Sequence, residues 1–92
     1  MNLDMDRINE VFGKSMIFNI QANKEDFLQN IKYMQSLGYK NVEELVELYP
    51  ETFLLDTTIF QEKVDLLLEK LGVESFEKIE ENMELWGSIN ES

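Results

Sequence analysis

The chain has 92 residues, 43% of them hydrophobic, and its 19 acidic and 8 basic side chains give a formal net charge of −11. This length and composition are typical of one small globular domain, and the absence of cysteine and histidine excludes disulfides, thiol nucleophiles, the usual zinc sites and a histidine base. An acidic surface repels phosphate backbones and anionic lipids, so we expect neither direct nucleic-acid binding nor membrane binding.

Residues 1–22 are predicted to form an N-terminal helix followed by an apolar segment. The helix covers residues 3–13, where apolar side chains recur near one face and Gly13 is suited to end it. The next segment, MIFNI over residues 16–20, is interpreted as a lone extended piece that packs on helices. A continuation of the first helix is the competing interpretation. The apolar side chains of the first helix are Leu3, Ile8, Val11 and Phe12.

The start of the chain does not resemble a signal peptide. The sequence MNLDMDRINE is acidic and lacks the basic region and the apolar run that such a peptide needs. No apolar run approaches the ~18 residues of a membrane span. We therefore expect a cytoplasmic protein.

Residues 23–55 are predicted to form the first of two helical hairpins. Asn23 is a candidate N-cap for a long helix that ends at Gly38. A shorter helix begins after Asn41, which is its candidate cap, and ends before Pro50 because proline disfavours helical geometry in the preceding residue.

An apolar run follows Pro50, the only proline in the chain. Phe53, Leu54 and Leu55 are consecutive, which is unusual for a segment that merely connects two helices. We expect a short, tight turn that buries Phe53 and Leu54 between the two hairpins.

Residues 56–87 are predicted to form the second hairpin. Its long helix is capped by one of residues 56–58, with Thr58 and Gln61 as a candidate capping box, and ends at Gly72. A shorter helix runs from Ser75 to Gly87. Residues 88–92 are predicted to be a flexible tail.

The two hairpins resemble each other around a shared Leu-Gly pair. Leu37-Gly38 matches Leu71-Gly72 at an offset of roughly 34 residues, which is within the range of helical repeats. The stretch also resembles the repeat of the mitochondrial transcription termination factor family, over residues 27–86. The matching residues are Leu37, Gly38, Leu45, Pro50, Phe53, Leu54, Val64, Leu67, Leu71 and Gly72.

That resemblance implies stacked helical hairpins, and in the family a basic concave side holds duplex DNA or RNA. This chain has about two units and lacks the basic residues for such a groove, and Glu84 stands where Pro50 would repeat. We therefore carry over the architecture and not the nucleic-acid binding. The predicted fold is an all-α domain of about five helices built from two stacked helical-hairpin repeats.

Three short motifs suggest chemistry, but ordinary helix starts and turns explain them better. Gly13-Lys14-Ser15 lacks the first glycine of a phosphate-binding loop. Ser75 and Lys78 have the spacing of a serine–lysine pair without its companion motifs, and Asp4 and Asp6 lack the rest of a calcium loop. We expect no enzymatic activity, no cofactor and no metal site.

Glutamates at i,i+4 spacing are the main candidates for a binding surface. The simpler interpretation of these glutamates is a set of solvated helix faces. The more specific interpretation is a surface that docks on a basic protein. For Tyr39 and Tyr49, a core position and an interface position are about equally well supported, whereas Trp86 is assigned to the core. The candidate partner-binding residues are Glu43, Glu47, Tyr49, Glu77, Glu81 and Glu84.

The predicted function is a non-catalytic, acidic protein-binding module. One alternative is a small phage-type inhibitor, of the anti-restriction or anti-CRISPR kind, that mimics nucleic acid in an enzyme channel. Another is a self-associating structural subunit, since a short repeat array has open ends that allow a homodimer.

Overall fold

The computed structural model describes residues 3–91, with side chains as far as Ile89, and all regular structure in that range is helical. The all-α prediction is therefore confirmed. The α-helices outnumber the five expected, because the segment predicted to be extended is a helix and the helix predicted from Ser75 to Gly87 is divided. The seven α-helices are α1 Met5–Phe12, α2 Lys14–Ala22, α3 Lys24–Ser36, α4 Val42–Leu48, α5 Thr57–Leu71, α6 Ser75–Glu81 and α7 Glu84–Gly87, with 3-10 helices at Pro50–Leu54 and Ser88–Glu91.

Gly13 separates α1 from α2. Its φ of 86° lies in a region that favours glycine, and its N–H donates to the Asn9 carbonyl at 2.8 Å. The extended interpretation of residues 16–20 was wrong, because they lie within α2. A helix pairs its backbone groups internally, whereas a lone extended piece would leave them without partners. Val11 is 66% exposed and so does not share the buried face of Ile8.

Asn23 and Asn41 occupy the predicted N-cap positions of α3 and α4, but neither side chain makes a capping hydrogen bond. The Asn23 side chain donates to the Asn19 carbonyl at 3.0 Å, so it closes α2 and does not cap α3. Asn41 makes no side-chain cap to α4. Asp56 does cap α5, since its carboxylate accepts the Thr58 N–H at 2.9 Å, and Thr58 therefore lies inside the helix and does not begin a capping box.

The short, tight turn predicted after Pro50 is a 3-10 helix that begins at Pro50 itself. Phe53 is fully buried, while Leu54 is only half-buried. The segment is held by Asn30, a buried polar residue of α3 whose Nδ2 donates to the Phe53 carbonyl at 2.9 Å and the Leu55 carbonyl at 2.8 Å. These two bonds join α3 to the end of the 3-10 helix.

Three aromatic rings form the centre of the core. The Phe53 ring centroid lies 5.3 Å from that of Phe60 and 5.5 Å from that of Trp86, and Phe60 and Trp86 are 5.9 Å apart. The Trp86 Nε1 donates to the Thr52 hydroxyl at 2.9 Å, and that hydroxyl donates to the Tyr49 carbonyl at 2.7 Å. The assignment of Trp86 to the core is confirmed.

The C-terminal part differs from its prediction in two ways. The helix expected from Ser75 to Gly87 is divided near Asn82, which has an extended backbone conformation. The flexible-tail prediction was wrong for residues 88–91, which form a 3-10 helix and bury Ile89. Ser92 of that predicted tail lies outside the described residues, as do residues 1 and 2 of the N-terminal segment.

We expect Asn30→Ala to lower the free energy of unfolding by about 2–4 kcal/mol, because a buried and a partly buried carbonyl lose their donor. Chemical unfolding followed by circular dichroism measures the change. Gln29→Ala, at an exposed position of the same helix, is the matched control and should change stability by less than about 0.5 kcal/mol. Equal effects of the two substitutions would contradict the role given to Asn30.

We expect Phe53→Ala to cost about 3–5 kcal/mol, because it leaves a cavity between two rings. The same unfolding assay measures it, with Leu66→Ala as a control at an exposed apolar side chain. A loss below about 1 kcal/mol would mean that Phe53 does not pack in the core.

Candidate protein-binding surface

The buried stripe of α4 positions its acidic side chains. Val42, Leu45 and Val46 are buried, so the rest of the helix circumference faces outward. Glu43 is accordingly exposed and Glu47 half-buried. Their i,i+4 spacing places both carboxylates along one side of the helix.

Helix α6 repeats this arrangement. Ser75 and Ile79 are buried, while Glu77 and Glu81 are exposed at i,i+4 spacing. Glu84 is exposed in the first turn of α7, where a negative charge complements the helix dipole. All five predicted glutamates therefore keep solvent access.

The N-terminal end of α4 lies beside α6. The Asn41 Nδ2 donates to a Glu80 carboxylate oxygen at 3.0 Å. The Tyr39 and Phe76 rings meet edge to face with centroids 5.3 Å apart. A shallow notch of about 210 Å³ lies at this junction, and Glu77 and Glu80 are part of its lining.

Glu80 and Glu44 belong to this surface although the sequence prediction did not include them. Both are exposed, and both carboxylates act on the Tyr39 hydroxyl electrostatically. Burial is the main cause that raises the pKa of Tyr39 to about 12, and the Glu80 and Glu44 charges raise it further. In the sequence, Glu44 lies three residues after Asn41, and Glu80 lies three residues after Glu77. This helical spacing could have indicated that each shares a side of its helix with the earlier residue, but it could not show that α4 and α6 meet.

Tyr39 and Tyr49, for which the sequence left both a core and an interface position open, differ in burial. Tyr39 is only 4% exposed, and its hydroxyl is buried without a hydrogen-bond partner among the described residues, so it belongs to the core. Tyr49 is half-buried and packs against α7, where a Cβ added to Gly87 would lie 2.9 Å from the Tyr49 Cε1. Only Tyr49 retains a partly exposed surface for a partner.

Two lysines bind backbone carbonyls near helix ends. The Lys78 Nζ donates to the Leu71 carbonyl at 2.6 Å, at the end of α5, and the Lys63 Nζ donates to the Ile89 carbonyl at 3.2 Å. A cation is favourable at a helix C-terminus. Lys78 therefore links α6 to the end of α5, and Lys63 links α5 to the Ser88–Glu91 helix.

Comparison with known proteins finds no matching family model, no matching curated protein and no matching solved structure. Within the described residues, no three acidic, histidine or cysteine side chains are grouped so that they could hold a metal ion. The described helices also include none with both the length and the apolar character needed to cross a membrane.

Tyr39→Phe is expected to reduce the loss of stability at high pH. Because the pKa of Tyr39 rises from the usual 10.0 to about 12 on folding, the folded chain binds more protons than the unfolded chain between these values. The free energy of unfolding is thus unaffected by this group below pH ~10 and falls above it. Unfolding curves from neutral to alkaline pH measure the effect.

Tyr33→Phe is the informative comparison. The Tyr33 hydroxyl donates to Asp65 at 2.5 Å, and this hydrogen bond is the main reason that its pKa is also raised to about 12. Tyr33→Phe should flatten the alkaline profile but lose stability at neutral pH, whereas Tyr39→Phe loses no hydrogen bond. An unchanged alkaline profile in Tyr39→Phe would contradict the assignment.

Proposed function

We propose that this chain is a non-catalytic module that docks its acidic surface on a basic surface of another protein. The acidic face comprises Glu43, Glu47, Glu77, Glu81 and Glu84, with Tyr49 at its edge. The observation that carries the proposal is the paired i,i+4 rows of carboxylates on α4 and α6, which adjoin through Asn41 and Glu80. A cytoplasmic location and the absence of catalysis and cofactors are parts of the proposal.

Electrostatics favours a basic partner for this face. Like charges at i,i+4 spacing are mildly destabilising within a helix, and lysine or arginine side chains of a partner would relieve that repulsion. Each exposed ion pair contributes only ~0.2–1 kcal/mol, so several pairs must act together. Charge complementarity mainly accelerates association and excludes acidic competitors.

The magnitude of the net charge supports a more specific candidate, in which the basic partner surface is a nucleic-acid channel. The longest dimension of the chain is 37 Å, a length over which duplex DNA carries roughly 22 negative charges and one of its strands roughly 11. The net charge of −11 is about half that of the duplex and equals that of the single strand. Our second candidate is therefore a phage-type inhibitor that occupies a single-strand channel.

We also propose that residues 23–55 and 56–87 are two copies of one helical hairpin, related to the mitochondrial transcription termination factor repeat. Gly38 and Gly72 share a positive φ after the long helices. α4 and α6 have seven residues each, and Leu45 and Ile79 are equivalent, fully buried positions. These features support a common unit.

A pull-down with the immobilised chain, from an extract of cells that express it, tests the proposed function. We expect capture of a basic protein at ~0.1 M salt and its release at ~1 M salt, because the Debye length falls from ~10 Å to ~3 Å. The variant Glu43→Gln/Glu77→Gln/Glu81→Gln should lose this capture.

The matched control is Glu10→Gln/Glu62→Gln/Glu69→Gln, which changes the net charge equally at exposed positions outside the acidic face. It should retain most of the capture. Equal losses in both variants, or capture that is unchanged at high salt, would refute docking through this face. For the narrower candidate, simultaneous binding of the chain and a single strand to the captured protein would exclude the mimic.

A further inference from the structure

A groove with an apolar floor crosses the N-terminal helices, far in sequence from the acidic face. It consists of two adjoining cavities of about 320 and 340 Å³, which share Met5 and Gln21. Asp6, Lys14 and Phe18 line one part, and Leu28 lines the other. We call this feature the N-terminal groove.

The groove has exposed apolar residues at its sides. Phe18 is 69% exposed and Leu28 41% exposed. Single exposed apolar residues are ordinary on a protein surface, but two that line one groove with partly buried apolar residues are typical of an interaction site. Phe18 is the largest of them and projects from the middle of α2.

Charge along the chain is distributed unevenly, and this feature suggests the occupant. Residues 1–28 contain five acidic and three basic side chains, a formal net charge of −2, whereas residues 29–92 contain 14 acidic and five basic, a net charge of −9. The charged side chains in the groove are Asp6, Lys14 and Lys24. The groove is therefore one place where a second strongly acidic chain can approach without strong repulsion.

We propose that the N-terminal groove binds the same groove of a second copy of this chain. In a two-fold dimer the same patch faces itself, so residue i of one copy contacts residue j of the other and the reverse contact also occurs. Phe18 of each copy enters the groove of the other. Asp6 of each copy pairs with Lys14 of the other, which makes the patch self-complementary in charge.

The groove residues themselves favour a second copy over a basic partner. Among its three charged side chains only Asp6 is acidic, so a basic helix would find one carboxylate there, whereas a second copy matches that carboxylate and Lys14 reciprocally. Within the described residues, neither the Asp6 side chain nor the Lys14 side chain has a hydrogen bond or an ion pair, so both are available for a partner. Reciprocal Asp6–Lys14 pairs satisfy both charges with one symmetric contact.

The dimensions predict a weak dimer. α1 and α2 have eight and nine residues and are thus about 12 and 13 Å long. Their shared face is smaller than the ~800 Å² per partner of a standard stable interface. We therefore expect dissociation in the range of ~10–100 µM.

Sedimentation equilibrium of the full chain from ~10 µM to ~1 mM, a range that brackets the expected dissociation constant, tests the proposal at fixed salt. The mass should rise from the monomer value of 10.9 kDa toward twice that value. Asp6→Lys and Lys14→Asp should each weaken the dimer at least about tenfold, because each puts like charges opposite one another. Phe18→Asp should abolish it, whereas Val73→Asp, at a fully exposed position, should not.

Mixing the two charge variants is the decisive measurement. A copy with Asp6→Lys and a copy with Lys14→Asp present complementary charges at both reciprocal contacts, so the mixture should dimerise at least about tenfold more tightly than either variant alone. A mixture that stays monomeric, or wild type that stays monomeric at ~1 mM, overturns the proposal, since this concentration exceeds the expected dissociation constant at least about tenfold. Circular dichroism shows that each variant is folded.

This outcome is independent of the proposed function. Glu43→Gln/Glu77→Gln/Glu81→Gln alters the acidic face and leaves the N-terminal groove intact, so it should dimerise like wild type. If both this variant and wild type remain monomeric while wild type still captures a basic partner, the dimer fails and the docking module survives.

Discussion

The structure depends on two hydrogen bonds that the buried Asn30 side chain donates to the Phe53 and Leu55 carbonyls. A 3-10 helix has poorer hydrogen-bond geometry than an α-helix and is short for that reason, so the carbonyls at its end need an outside donor. Asn30 supplies it from α3. With this segment positioned, Phe53 meets Phe60 and Trp86, so the Pro50–Leu54 helix, α5 and α7 converge on one aromatic cluster.

Periodicity predicted the elements whose apolar stripes were long, and it was ambiguous where they were short. The stripe of α5 and its glycine end at Gly72 were clear from the sequence. The five residues of MIFNI contain too few positions to separate a period of 2 from one of 3.6, and the extended interpretation was wrong. Asn30 was missed because a polar residue inside a helix normally faces water, and only the fold shows the carbonyls opposite it.

The same contrast applies to the candidate surface. Helical spacing was sufficient to predict exposure of Glu43, Glu77 and Glu81, because burial within one helix follows from its own stripe. It could not predict that Glu80 adjoins the start of α4, which depends on how two helices pack. Tyr39 and Val73 illustrate the limit: they follow the matching glycines Gly38 and Gly72, yet Tyr39 is buried and Val73 fully exposed.

Trp86 is the only tryptophan in the chain, and it sits where the 3-10 helix, α5 and α7 meet. The chain therefore contains one intrinsic optical reporter for the whole core. Its indole is shielded from water and hydrogen-bonded to Thr52. The wavelength of its fluorescence emission and its protection from dissolved quenchers therefore report whether these three elements are assembled. Phe18 and Leu28 of the N-terminal groove are not among these three rings, so the same signal separates loss of fold from loss of dimerisation.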